Sequence, residues 1–212
     1  MDKILENKLI EIAKSKITSE DPSHDIYHTL RVLKNAKYIT EKESGDLDII
    51  VASAILHDLV TYPKNDPRSK NEQNESAEAA EKILRSIKEF PQAKIDLVKK
   101  SIGICSFSKN IKPEFLEAKI LQDADKLEAT GAISIMRTFA SSGIMKRQFY
   151  DLADPFCKNR EPDNFKYSID LFYTRLLVVK DRMHTKTGRK IAERRTQFLE
   201  EFLIELEMEL SE

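Results

Sequence analysis

The apolar run Ile49-Ile50-Val51-Ala52-Ser53-Ala54-Ile55-Leu56 ends in the adjacent pair His57-Asp58. An apolar interior penalises imidazole and carboxylate groups unless they are paired or bound to a metal. Two other segments carry the same chemistry. Upstream lies Asp21-Pro22-Ser23-His24-Asp25-Ile26-Tyr27-His28, and downstream lies Gln122-Asp123-Ala124-Asp125-Lys126-Leu127. Imidazoles and carboxylates from three separate segments are what a chain needs to build one divalent-metal site. A mixed nitrogen and oxygen set suits Mn, Fe, Co, Ni or Zn better than Mg, which prefers oxygen.

Each group also has a plainer reading. His24 and His28 are four apart and share a face on a helix, with Arg31 three beyond His28. That places a cation able to bind phosphate beside a metal ligand. His24 reads equally well as a polar residue at a helix start. His57 could be an imidazole favoured by a helix C-terminus, with Asp58 solvated. Asp123, Asp125 and Lys126 could mark a surface helix end. Cys105 reads as a small buried residue and His184 as part of a polar turn. No glycine-rich phosphate loop and no GxSxG nucleophile elbow is present.

The elements that must position these groups read as helices. Ile4, Leu5, Leu9, Ile12, Ala13 and Ile17 form one helical stripe, giving an N-terminal helix over 1–18. Asp21-Pro22 predicts a cap and first turn for the next helix, which stops near Gly45. The segment 47–60 is apolar nearly all round, so it belongs at the centre. Residues 61–74 read as a loop with Pro63 and Pro67, and Glu75 to Phe90 as an amphipathic helix. Further helices are expected over Ile95–Cys105, through Leu116, Ile120 and Leu121, and within 131–153. Residues 154–164 read as a loop and Phe165–Met183 as helical. A last helix over about 187–210 places Ile191, Phe198, Phe202 and Leu206 on one side and a mostly solvated charged face, including Arg194 and Arg195, on the other. No convincing period-2 strand appears. One all-α domain over 1–212 is the expectation.

Bulk composition narrows the function. Of 212 residues, 41% are hydrophobic and 33% charged, a globular balance, and only 5 Gly and 7 Pro favour long helices. The net charge of -1 gives no general drive toward nucleic acid or anionic membrane, so no stable nucleic-acid complex is expected. The two cysteines, Cys105 and Cys157, match no disulfide or zinc framework. The first residues lack a signal-peptide core and no apolar run could span a bilayer, so a cytoplasmic protein without membrane partners is expected.

Taken together, His28, His57-Asp58 and Asp125 resemble the ordered H…HD…D signature of the HD-domain metal-dependent phosphohydrolase superfamily. Longer stretches carry the same likeness to its predicted HD superfamily hydrolase branch: Ser23 to Val32, Ala54 to Asp58, Glu75-Ser76-Ala77, Ala118 to Leu127, Gly131 to Phe139, and the tail from Phe172 to Leu203. The resemblance implies a single helical-bundle HD domain with one metal held by His28, His57, Asp58 and Asp125. It implies hydrolysis of a phosphate ester, as a phosphomonoesterase or phosphodiesterase, on a nucleotide or another small phosphorylated metabolite. Asp58 or Asp123 would accept the proton of the attacking water, while Arg31 and Lys126 neutralise the phosphate. His24 and Arg137 are further substrate contacts. Similar proteins often carry a histidine where this chain has Cys105, and no histidine lies between His57 and Asp125. That departure implies one metal rather than two. It also motivates the alternative of a weak or inactive nucleotide-binding sensor on the same fold. The oligomeric state is open.

Overall fold

The computed structural model describes residues 1–17, 25–62, 66–105 and 111–212. The protein is all-α. Among the described residues no strand forms, and the nearest approach to one is an isolated parallel bridge between Gln148 and Tyr167. No described helix is long and apolar enough to cross a membrane. The chain divides into two compact units, the first ending at Asp125 and the second running from Lys126 to Glu212.

The first unit holds α1 (Lys3–Lys16), α2 (Ile26–Glu43), α3 (Leu47–Leu56), α4 (Glu72–Ser86), α5 (Ile95–Gly103) and α6 (Leu116–Lys126), whose last residue begins the second. Helix α3 is its axis. Residues Ile49 to Leu56 are each no more than 3% exposed, and α1, α2, α4 and α5 all pack on this helix. An apolar helix without a polar face can be covered only from several sides, so the sequence pattern alone forces α3 inward. Each buried Ile or Leu contributes about 1.5–3 kcal/mol of transfer free energy.

Polar groups gather at the N-terminal end of α3. Asp46 caps it, accepting from the backbone N–H of Asp48 at 2.9 Å and of Ile49 at 3.3 Å. Lys94 bridges Asp46 and Asp48, each at 2.7 Å. Burial alone would raise the Asp46 carboxyl, but the Lys94 ammonium and the two backbone donors outweigh it and hold it below its ordinary value. The preceding turn runs through Ser44 in the left-handed region and Gly45. A Cβ on Gly45 would lie 2.8 Å from Ile120 Cδ1, so a larger residue here would make the Ile120 side chain shift.

Several helix bounds differ from expectation. Helix α2 starts at Ile26 with Asp25 as its cap, later than Asp21-Pro22 implied. Residues 18–24, including His24, lie outside the described residues. Helix α3 ends at Leu56 rather than near 60, because the His57 ring competes for the Ala54 carbonyl that the next helical N–H would use. Helix α4 begins at Glu72, inside the expected loop, after a 3₁₀ turn over Pro67–Asn71.

The second unit contains α7 (Gly131–Ile144) and α8 (Lys186–Glu209), which pack on each other. The buried face of α8 is Gly188, Ala192, Thr196, Leu199 and Leu203, whereas Phe198 is 46% exposed. Arg195 is not on a solvated face. It donates to the Leu127 carbonyl at 3.0 Å, and burial lowers its pKa. Its side chain also lies against Gly131, whose φ of +66° favours glycine.

The expected helix over 165–183 is replaced by a π-helical turn at Phe172–Leu176 and a 3₁₀ turn at Val179–Arg182. Asp170, just before the π-helical turn, is a fully buried carboxylate that must be satisfied locally. It accepts from Arg160 Nη1 at 2.5 Å, Arg160 Nη2 at 2.8 Å and the Asp163 N–H at 2.6 Å. Burial pushes its pKa up, but Arg160 and the backbone donor more than offset this and leave it depressed. The nearby Cys157 thiol is pushed up to about 11, first by burial and then by Asp170. A depressed carboxylate stabilises the fold above its unfolded pKa and loses that effect as pH falls through the folded value. Arg160→Ala should destabilise the protein by about 3–5 kcal/mol in urea titrations at pH 7, because it strands a buried carboxylate. Asp170→Asn should flatten the acid limb of the stability–pH profile below about pH 4.

Candidate metal centre

The centre is built from three helix ends or faces of the first unit. Helix α2 contributes His28, which is buried. The N–H of His28 donates to the Asp25 cap at 2.9 Å, which fixes the first turn of that helix. Helix α3 delivers His57 as its C-terminal cap residue, 3% exposed, with Asp58 immediately after. Helix α6 presents Asp125 one turn beyond the buried Leu121.

These groups converge. Ligand atoms of His28, His57 and Asp125 lie within 4.8 Å of one another. Asp58 joins them, with its Oδ2 3.5 Å from His28 Nε2 and 3.4 Å from His57 Nε2. Asp125 Oδ1 is 3.5 Å from His28 Nε2. Ligands about 2.1 Å from one tetrahedral ion stand about 3.4 Å apart, so these separations suit a single cation at the common centre. Direct hydrogen bonds would be shorter.

The proton inventory of His57 points the same way. Its Nδ1 lies 2.9 Å from the Ala54 carbonyl oxygen, which can only accept, so Nδ1 carries the hydrogen. The Nε2 of the ring faces inward, and this buried nitrogen has no hydrogen-bond partner. A lone pair facing carboxylate oxygens without a hydrogen between them is costly until a cation intervenes. The residues present therefore fit a divalent metal.

Supporting contacts come from residues the motif reading did not single out. Asn35, about two turns after His28 on α2, donates from Nδ2 to the Ala124 carbonyl at 3.4 Å, beside Asp125. Ser76, buried on α4, fastens the chain leaving His57-Asp58. It accepts from the Val60 N–H at 3.0 Å and donates to the Val60 carbonyl at 3.3 Å. Glu72 Oε1 accepts from the Tyr62 N–H at 2.6 Å. Burial raises the Glu72 pKa, and the charge of Asp58 adds to the rise. The Glu75-Ser76-Ala77 match was a signal for this contact, but nothing in the sequence said which backbone it grips.

The remaining expected site residues fall in different places. Arg31 is half-buried, one turn after His28 on α2. Asp123 is completely buried and stands roughly 200° around α6 from Asp125. Lys126 is buried, and its ammonium donates to the Arg182 carbonyl and to His184 Nε2, both at 2.9 Å, within the second unit. Arg137 donates to the Glu128 carbonyl at 3.2 Å in that same unit. Cys105 is buried, as its apolar surroundings in the sequence suggested.

Comparison with known proteins agrees with this geometry. The HD-domain family model matches residues 25–130, a span that includes all four converging side chains. YpgQ of Bacillus subtilis is 31% identical over 203 residues, covering 93% of this chain and 89% of the relative. The crystal structure of YpgQ in complex with ADP superposes with a TM-score of 0.71 at 28% identity, covering 96% of this chain and 97% of the other. An HD-superfamily hydrolase from Bacillus thuringiensis gives a TM-score of 0.72 at 30% identity, covering 99% of this chain and 98% of that one.

If Ser76 holds the turn that carries the two ligands, Ser76→Ala should weaken Mn(II) binding by about tenfold in calorimetric titration, the lower end of the effect of outer groups on metal sites. Ser76→Thr should retain most of the affinity, because the hydroxyl is kept. Equal affinity in all three proteins would remove Ser76 from that role.

Proposed function

The chain belongs to the HD-domain family of metal-dependent hydrolases, and from that premise we propose that it is a phosphohydrolase acting on a nucleotide or another small phosphorylated metabolite. The observation that carries this reading is the convergence of His28, His57 and Asp125 on one centre, with Asp58 3.5 Å from His28 Nε2 and 3.4 Å from His57 Nε2. We assign these four as the metal ligands, with Mn, Fe, Co, Ni or Zn favoured over Mg by the two imidazoles. The ADP bound in the YpgQ crystal supports a nucleotide ligand here. The net charge of -1 supports a small molecule over a nucleic acid.

A divalent ion at this centre would supply Lewis-acid polarisation of the phosphoryl group and acidify a water. The protein's own groups do the rest. His28 and His57 present neutral nitrogen donors in a site from which bulk water is largely excluded, since both are nearly buried. Asp58, 21% exposed at its side chain, reaches both the ligand cluster and solvent, so it is our candidate for accepting the water proton. Asp123 is turned toward the core, and we give it a supporting place behind Asp125. Arg31 is the cation we assign to the phosphate, through bidentate hydrogen bonding from the same helix as His28. For Lys126 and Arg137 the case as phosphate contacts rests on sequence position, because both also donate to backbone carbonyls of their own unit.

The test pairs metal analysis with a phosphate-release screen on nucleotides in added Mn, Co, Ni and Mg. Wild-type protein should hold metal stoichiometrically and turn over. His57→Ala and Asp58→Ala should lose the metal, and their activity should fall by more than about 100-fold, beyond what outer groups alone contribute. Metal retained in both variants would remove the proposed ligand set. Metal without turnover on any nucleotide would make the protein a nucleotide-binding sensor.

A further inference from the structure

Tyr62 stands four residues after Asp58, so the chain between them spans about 14 Å at most. It is only half-buried, yet it is held at three points. Its N–H donates to Glu72 Oε1 at 2.6 Å. Its hydroxyl donates to Glu75 Oε2 at 2.7 Å. The Arg68 guanidinium carbon lies 4.4 Å from the ring centroid. Arg68 is fixed in turn by Asp66, through Nε at 3.1 Å and Nη2 at 2.7 Å, although its own side chain is 66% exposed.

A partly exposed tyrosine ordinarily leaves its ring free to rotate and its hydroxyl in water. Here Glu75 and Asp66 hold the ring of Tyr62 and the guanidinium of Arg68, and Glu72 holds the Tyr62 backbone, without taking them into the core. That ordering costs side-chain entropy, which core packing does not offset at this position. It is what a stacking surface needs, because a ring already held in place loses less freedom when a ligand arrives. All the residues involved belong to the first unit, as do the four converging ligands.

We propose that the Tyr62–Arg68 pair is the stacking surface for the base of the nucleotide whose phosphates reach the His28, His57, Asp58 and Asp125 centre. The inference rests on the phosphohydrolase reading and adds a base-recognition site to it. Stacking tolerates every base because each has a π-face, so the surface selects nucleotides over phosphorylated metabolites without strong choice among bases. The guanidinium plane also provides a cation for the base or the ring.

The experiment compares ADP with inorganic pyrophosphate, each titrated with Mn(II) into wild-type protein, Tyr62→Ala, Tyr62→Phe and Arg68→Ala. Tyr62→Ala should raise the Kd for ADP by at least about fivefold, the low end of base–aromatic stacking, and leave pyrophosphate binding unchanged. Tyr62→Phe keeps the ring and should bind ADP within about twofold of wild type. Arg68→Ala should give an intermediate loss, confined to ADP. Equal effects of Tyr62→Ala on both ligands would make Tyr62 a support for the metal turn and overturn the stacking role. So would equal binding of ADP and pyrophosphate by wild-type protein, a result that leaves the phosphohydrolase reading intact. Binding of neither ligand by wild-type protein would overturn the nucleotide part of that reading and the stacking surface with it.

Discussion

Everything at the centre depends on desolvation at the C-terminal end of α3. A helix as apolar as Ile49–Leu56 has to lie inside the unit, so the residues after it emerge among buried groups. Those residues are an imidazole and a carboxylate. One nitrogen of His57 is satisfied within its own turn by Ala54, and the other is left with a lone pair and no hydrogen-bond donor. Two carboxylates and a second imidazole meet it at about the edge length of a metal coordination shell. Charges and lone pairs of one sign repel one another where water is scarce, so this arrangement favours a cation at its centre.

The remainder of the first unit supports that arrangement. The charged residues that α3 cannot carry along its length are concentrated at its N-terminus, where Lys94 and the Asp46 cap satisfy them far from the centre. The preceding turn packs onto α6 at Gly45, and Glu117 of α6 accepts from the Asp46 N–H at 3.0 Å. Asn35 ties α2 to the backbone beside Asp125. Helices α2 and α6 are therefore joined beside Asp125 by a polar side chain, in addition to apolar packing.

The readable part of the sequence was the part governed by periodicity and burial. The apolar run marked α3 as central, and the helices were visible because each stripe repeats at about 3.6 residues. Boundaries were less readable, since they depend on side chains competing for backbone groups. The His57 ring ended α3 early, and the cap of α2 proved to be Asp25. The π and 3₁₀ turns that replace the expected helix over 165–183 were not readable, and no local pattern signals that Asp170 is a buried carboxylate whose partner is ten residues upstream. In the same way Phe198 fits a helical stripe but is exposed, while Arg195, which looks like a surface charge, lies against Gly131. At the centre, residue types and order marked His28, His57, Asp58 and Asp125 in advance. Ser76, Glu72 and Asn35 were not marked for their roles, because their partners are main-chain groups, which every sequence supplies at every position.

That difference bears on how the site could change its substrate. His28, His57 and Asp125 are fixed by core helices, where small shifts are costly because interiors are close-packed. Helix α4 instead holds the segment after Asp58 through hydroxyl and carboxylate contacts to main chain, at Val60 and Tyr62. Such contacts place few demands on the side chains they hold. Tyr62 could be exchanged without disturbing the Glu72 bond to its N–H, and Arg68 without disturbing the Ser76 bond to Val60. Relatives about 30% identical keep this fold at TM-scores near 0.7. Side chains on the segment after the ligand pair are thus the least constrained by the centre and the best placed to differ between substrates, while His57-Asp58 and the helix behind it stay as they are.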